Sequence, residues 1–107
     1  MLKIAKTDLP DEQRWCLQGQ LVGQWAVELK SVWREAHHAA DTRRSIVDLI
    51  EVISIDRNGE AVLAEMMSQG AGFISGDVYT EHLLRKLRRE LKRSRENERQ
   101  DGGGTKS

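Results

Sequence analysis

Alternating apolar and polar residues open the chain and predict two short strands. Residues 2–6 alternate weakly, as in an edge strand, and Pro10 marks a turn after them. Residues 14–21 alternate strongly, with a spacing of two that is typical of a half-buried strand. The apolar face of this second strand holds Trp15, Leu17, Gly19 and Leu21. We expect the two strands to form an antiparallel pair.

From Gly23 onward the apolar spacing changes to three and four, which predicts an amphipathic helix ending near residues 39–41. Its apolar stripe holds Val22, Trp25, Ala26, Leu29, Trp33, Ala36 and Ala40. Trp25 and Trp33 lie eight residues apart on that stripe. We therefore expect them to pack in a core and not to form an aromatic binding platform.

The middle of the chain is rich in aliphatic residues. Residues 45–49 show no alternation and predict a strand buried on both faces, followed by a second apolar piece over residues 52–55. The tight sequence Asp56–Gly59 comes next, and either Asp56 or Asn58 is suited to cap a short helix over residues 61–67.

The last third predicts a strand over residues 72–76 and a final helix capped by Asp77. The apolar side of this helix holds Val78, Leu83, Leu84, Leu87 and Leu91. The elements together predict a small single α/β domain over residues 1–91, with a mixed sheet of about four strands packed by three main helices. Residues 92–107 are expected to form a charged helical extension and a flexible Gly-rich tail.

Composition narrows the classes of function. The chain has 107 residues and one cysteine, which excludes an internal disulfide. We expect a cytoplasmic protein, because no signal peptide and no apolar run of membrane-spanning length is present. The net charge is zero, but residues 1–84 carry −5 and residues 85–107 carry +5. A neutral total argues against a dedicated nucleic-acid binder.

Three sequence segments resemble the STAS domain family, which includes the anti-sigma-factor antagonists. Within residues 46–59, the positions that match that family's central strand and its Asp-Ser-Ser-Gly turn in type and spacing are Val47, Asp48, Leu49, Val52, Ile55, Asp56 and Gly59. Residues 17–21 resemble its Leu-x-Gly-x-Leu strand. Residues 70–72, followed by a strand and a capped helix, also fit. The resemblance covers about residues 14–91. It implies a non-catalytic module that binds a protein partner, either an anti-sigma kinase-like ATPase or the ATPase subunit of a transporter.

The chain departs from the family where its phosphorylated serine would stand. Arg57 and Asn58 occupy the two Ser positions, and neither accepts a phosphate by that chemistry. We therefore expect a docking module without the phosphorylation switch, and its predicted contact residues are Asp56, Arg57, Asn58 and Gly59. Ser54 and Thr80 are the other candidate phosphorylation sites. The sequence leaves the oligomeric state open.

A run of basic residues in the last helix has two interpretations. The first is a solvated helix end, in which Glu81–Arg85 and Lys86–Glu90 form intrahelical ion pairs. The second is a contact with nucleic acid or another anionic surface. The candidate contact residues are Arg85, Arg88, Arg89, Lys92 and Arg93.

Other chemistries are weakly represented. His37 and His38 are adjacent on a helix and point in different directions, which disfavours a shared metal ion. Cys16 has no neighbouring base and is expected to be a small half-buried apolar residue. The acids near the central turn, Asp48, Asp56 and Glu60, are joined by no nucleophile or histidine in a recognisable pattern. No cofactor and no enzymatic activity are predicted.

Overall fold

A computed structural model describes residues 1–36 and 43–104, with side chains up to residue 96. Its elements follow the predicted order. They are β1 (Leu2–Asp8), β2 (Glu12–Leu21), α1 (Gly23–Ala36), β3 (Arg44–Ile55), α2 (Arg57–Ser68), β4 (Gly72–Ile74) and α3 (Val78–Gly104). His37 and His38, the predicted end of the first helix and the last three residues of the tail lie outside the described residues.

The four strands form one mixed sheet in the order β1-β2-β3-β4. β1 and β2 are antiparallel, as predicted, while β2, β3 and β4 are parallel to one another. α1 connects β2 to β3, and α2 connects β3 to β4. Parallel neighbouring strands need a crossover connection of this kind. The prediction of a small α/β domain with a four-stranded mixed sheet and three helices is confirmed.

The hydrophobic core lies between the helices and one face of the sheet. Trp15, Leu17 and Leu21 of β2 are fully or almost fully buried there, as the alternation in the sequence predicts. α1 contributes Leu29 and Trp33, both 0% exposed. The other face of the sheet carries no helix from the described part of the chain, so the domain has two layers.

The prediction that residues 45–49 are buried on both faces is wrong, because Ser45, Ile46 and Asp48 are only half-buried. The two predicted apolar pieces form one twelve-residue strand. Two β-bulges explain the misleading pattern. Cys16 pairs with Asp48 and Gln18 with Glu51, so three steps along β3 match two along β2. A second shift follows between Gly19 and Gln20 of β2. The core residues of β3 are therefore Val47, Leu49 and Val52, while Ile50 and Ile53 are 53% and 75% exposed.

The final helix also differs from its predicted pattern at the start. Asp77 caps α3 through its Oδ1 atom, which accepts a hydrogen bond from the Thr80 backbone N at 2.7 Å. Val78 was predicted on the apolar side, but it is 69% exposed. The buried residues of α3 begin at Thr80 and include Leu83, Leu84 and Leu87. Among the described residues, no helix combines the length and the apolar character that crossing a membrane requires.

Candidate functional site

The turn after β3 ties the starts of two helices together. Asp56 is the N-cap of α2, and its Oδ1 atom accepts a hydrogen bond from the Gly59 backbone N at 2.9 Å. Its other carboxylate oxygen, Oδ2, accepts from the Gly23 backbone N, also at 2.9 Å, at the start of α1. Both bonds satisfy N–H groups that a helix leaves without an intrahelical partner. One carboxylate thus fixes the relative position of α1 and α2.

A second contact holds the same two helices together farther along. Arg34 of α1 donates two hydrogen bonds of 2.8 Å to the carboxylate of Glu65 in α2. This bidentate hydrogen bond from Arg34 lowers the pKa of Glu65 below its ordinary value. Because α1 and α2 are joined at residue 56 and again at residue 65, the surface between them is rigidly positioned.

The four predicted contact residues of the turn have two different roles. Asp56 uses both carboxylate oxygens inside the fold, and Gly59 is buried. A Cβ atom at position 59 would overlap the carbonyl oxygen of Leu21, which leaves no room for a side chain. Arg57 and Asn58, in contrast, are exposed at the first turn of α2. The side chains available to a partner here are therefore those of Arg57 and Asn58.

Sequence reasoning missed the contribution of α1 to this surface. Val27 is 60% exposed and lies seven residues before Arg34, on the same side of α1 as the contact with α2. On α2, the exposed Ala61 precedes Glu65 by one turn. The position of Val27, an apolar residue outside the apolar stripe of α1, was the feature of the sequence that could have indicated this contribution. We call Val27, Arg57, Asn58 and Ala61 the α1–α2 surface.

Substitution of Asp56 tests the link between the two helices. Asparagine normally caps a helix as well as aspartate does, but it has only one acceptor oxygen for the two N–H groups of Gly59 and Gly23. We expect Asp56→Asn to lower the melting temperature at pH 7 by about 5–10 °C. Asp77→Asn is the matched control and should change it by less than about 2 °C, because a single backbone N–H bonds to that cap.

The pH dependence of stability gives an independent readout of Asp56. The hydrogen bonds from the Gly59 and Gly23 backbone N–H groups lower the pKa of Asp56 below its ordinary value of 3.8. A lowered pKa stabilises the fold above the unfolded-state pKa, and that contribution disappears as the pH falls through the folded-state value. The melting temperatures of wild type and Asp56→Asn should therefore converge below about pH 4. A constant difference from pH 7 to pH 3 would contradict this assignment.

The basic residues of α3 form a second candidate surface, which we call the α3 basic face. Its members, Arg85, Arg88, Arg89, Lys92 and Arg93, are all exposed. None of them forms an ion pair with a described side chain. Neither of the intrahelical pairs Glu81–Arg85 and Lys86–Glu90 occurs among the ion pairs of the described residues, and Lys86 pairs instead with Glu60 of α2 at 3.2 Å. The positive charge of this face is thus not neutralised locally.

The other chemically active side chains are engaged or shielded. Asp48 accepts a hydrogen bond from the Ile50 backbone N at 2.9 Å, and Glu60 pairs with Lys86. Thr80, a candidate phosphorylation site, is only 2% exposed. Cys16 is half-buried, as expected, on the helix-free face of the sheet. No cluster of three or more metal-ligating side chains occurs in the described part of the chain.

Comparisons with known proteins show the fold alone. No protein-family model matches the sequence, and no curated protein matches it either. A solved structure described as the crystal structure of Mglu aligns with 69% of this chain, with a TM-score of 0.54 and 19% sequence identity. The aligned region is only 19% of the Mglu chain. The similarity supports the α/β architecture.

Proposed function

We propose that this protein is a non-catalytic docking module, similar to the anti-sigma-factor antagonists, that binds a protein partner through the α1–α2 surface. The observation that carries the proposal is the double role of Asp56. Its carboxylate fixes the starts of both helices and leaves Arg57 and Asn58 exposed on a rigid turn. A preorganised surface loses little conformational freedom on binding, which favours affinity.

The chemistry of the α1–α2 surface suits a protein partner. It combines the exposed apolar side chains of Val27 and Ala61 with one guanidinium group, that of Arg57. Arginine is enriched in the energetically important centre of protein interfaces. We infer a kinase-like ATPase or the ATPase subunit of a transporter as the partner, from the sequence resemblance to the STAS family.

Residues 57 and 58 of the turn are not serines, and this determines whether docking can be regulated by phosphorylation there. In the family that the sequence resembles, a phosphate at the start of this helix brings negative charge to the docking surface. Arg57 supplies a positive charge at that place, and the helix start cannot be neutralised by phosphorylation of residues 57 or 58. We infer constitutive docking, with no switch at this turn.

Binding measurements on variants of the full chain test the proposal. The partner is first identified by crosslinking and mass spectrometry in the native cell extract and is then purified. We expect Arg57→Asp and Val27→Asp each to weaken its binding by about 30-fold or more, as loss of a central interface residue does. Arg44→Asp, the same charge change at the exposed opposite end of β3, is the matched control and should leave the affinity unchanged. Equal losses for Arg57 and Arg44 would refute the α1–α2 surface.

The α3 basic face supports a second candidate function, contact with the phosphates of a nucleic acid. It is favoured because none of its five basic side chains forms an ion pair with the side chains that the structure describes. Such binding would weaken steeply with salt and would disappear in a chain ending at Glu90. Docking through the α1–α2 surface predicts the opposite, because that truncation leaves the surface intact. The truncated chain therefore distinguishes the two functions in one experiment.

A further inference from the structure

The helix-free face of the sheet is a surface that the docking function leaves unused. It is formed by alternate residues of β1, β2 and β3 and includes an open concavity of about 270 Å³. Lys3, Ala5, Cys16, Gln18, Asp48, Ile50 and Glu51 line this concavity. Parallel strands in proteins are usually covered on both faces, and here the parallel strands β2 and β3 have one bare face.

β3 contributes exposed isoleucines to this face. Ile50 is 53% exposed and lines the concavity. Ile53, after the second shift, is 75% exposed. Isolated exposed apolar residues are common, but two isoleucines within four positions of one strand mark a surface that is suited to being covered.

The charges on this face are arranged so that two copies of the face can complement each other. Lys3 of β1 pairs in register with Gln18 of β2, and Gln18 pairs with Glu51 of β3. Across the three strands, these side chains form a row with the positive charge of Lys3 at one end, the amide of Gln18 in the middle and the negative charge of Glu51 at the other end. A two-fold axis that runs along β2, above the face, would reverse the order of the strands in a second copy. Each Lys3 would then lie over the Glu51 of the other copy.

The same axis also matches the sizes of opposing side chains. Reversal of the strand order sets β3 of one copy over β1 of the other. The protruding Ile50 then faces the neighbourhood of Ala5, a small residue that lines the concavity. Two sheets that pack face to face are about 10 Å apart, which allows such side chains to interdigitate. Shape and charge are thus both self-complementary under one operation.

From these observations we infer that the helix-free sheet face is the interface of a homodimer, in which a second copy of this chain packs face to face with β2 above β2. The interface is separate from the α1–α2 surface, which lies on the helical side of the domain. A dimer built in this way presents its two docking surfaces on opposite outer sides. It therefore holds two partner molecules at once.

The single cysteine provides a direct test. Cys16 lies on β2 at the proposed axis, and the chain has no other cysteine. A short bis-maleimide reagent should therefore link the two copies through Cys16 at micromolar protein concentration. The matched control is Cys16→Ser combined with Ser31→Cys, which moves the thiol to the exposed side of α1 and should give no linked dimer. Absence of linkage through Cys16 would overturn the proposed axis.

Analytical ultracentrifugation of charge variants tests the pairing of Lys3 with Glu51. Lys3→Glu and Glu51→Lys should each weaken the dimer by about tenfold or more, since each sets like charges opposite one another. The double variant Lys3→Glu/Glu51→Lys should restore the affinity to within about threefold of wild type. Circular dichroism checks folding, which these exposed positions should not affect. A wild type that stays monomeric, or a dimer unaffected by the single changes, would refute the interface. Protection of Cys16 only in the presence of a different protein would assign the face to that protein and would refute the dimer.

Discussion

Replacing Gly59 with valine is expected to prevent the domain from folding. Gly59 lies where the first turn of α2 passes over the end of β2, and a Cβ there would overlap the Leu21 carbonyl oxygen. It would also come within 2.9 Å of the Ile55 Cγ2 atom. The backbone of a central strand cannot move aside without breaking the sheet, so the overlap cannot be relieved locally.

Alanine at the same position separates a steric effect from a general sensitivity of the turn. We expect Gly59→Ala to lower the free energy of unfolding by about 2–4 kcal/mol, at or above the usual cost of overpacking. Asn58→Ala changes the exposed neighbouring residue and should cost less than about 0.5 kcal/mol. Urea denaturation followed by circular dichroism measures both. A Gly59→Ala protein as stable as Asn58→Ala would show that α2 can shift away from Leu21.

Truncating Trp33 is expected to have the second largest effect, a loss of about 3–5 kcal/mol of unfolding free energy for Trp33→Ala. The side chain is 0% exposed and contacts both the sheet and the end of α2. Its ring centroid lies 5.4 Å from that of Trp15 in β2. Its Nε1 donates a hydrogen bond of 2.7 Å to Gln69 Oε1 at the end of α2. Since a domain of this size has a total stability of about 5–15 kcal/mol, such a loss removes a large share of it.

Two further substitutions divide that loss into packing and hydrogen bonding. Trp33→Phe keeps most of the ring contact and removes the indole N–H, whereas Gln69→Ala removes only the acceptor. We expect Trp33→Phe to cost clearly less than Trp33→Ala. Gln69→Ala should cost about 1–2 kcal/mol, because it removes the side-chain acceptor of the Trp33 hydrogen bond. If all three variants unfold at the same urea concentration, the packing of Trp33 against Trp15 is not what stabilises the core.

The sequence predicts the architecture well because most elements of this domain bury one face only. The period-two pattern of β2 and the period of three and four in α1 appear directly in the burial of Trp15 and Trp33. Asp77 is recognisable as a helix cap, and Asp56 is one of two candidates for the cap of the preceding helix; both aspartates have that role in the structure. These signals are local, so they are readable without knowledge of the tertiary structure.

β3 is misread because its geometry depends on its neighbour. Residues 45–49 show no alternation, which is typical of a strand buried on both faces, and only the pairing with β2 reveals the two bulges. The same limit applies to Lys86, which pairs with Glu60 of α2 and not within its own helix. Contacts between elements far apart in sequence leave no periodic pattern.

The candidate site was predictable in part for the same reason. The resemblance to the STAS family directs attention to residues 56–59, but it does not separate the exposed Arg57 from the buried Gly59. It also gives no reason to include Val27, which joins the surface only because Arg34 and Glu65 hold α1 against α2. Which side chains a partner can reach is a tertiary property.

The bulges of β3 also affect how the protein resists aggregation. β4 pairs only with residues 46–48, so the outer edge of β3 from Leu49 to Ile55 has no strand beside it in the described part of the chain. A flat, aliphatic edge of that length would be a template on which further chains could add and begin a fibril. Two extra residues break the even spacing of donors and acceptors, and Asp48 occupies the Ile50 N–H. The two bulges, which the sequence pattern does not reveal, thus allow an aliphatic strand to have an unpaired edge without pairing with strands of other chains.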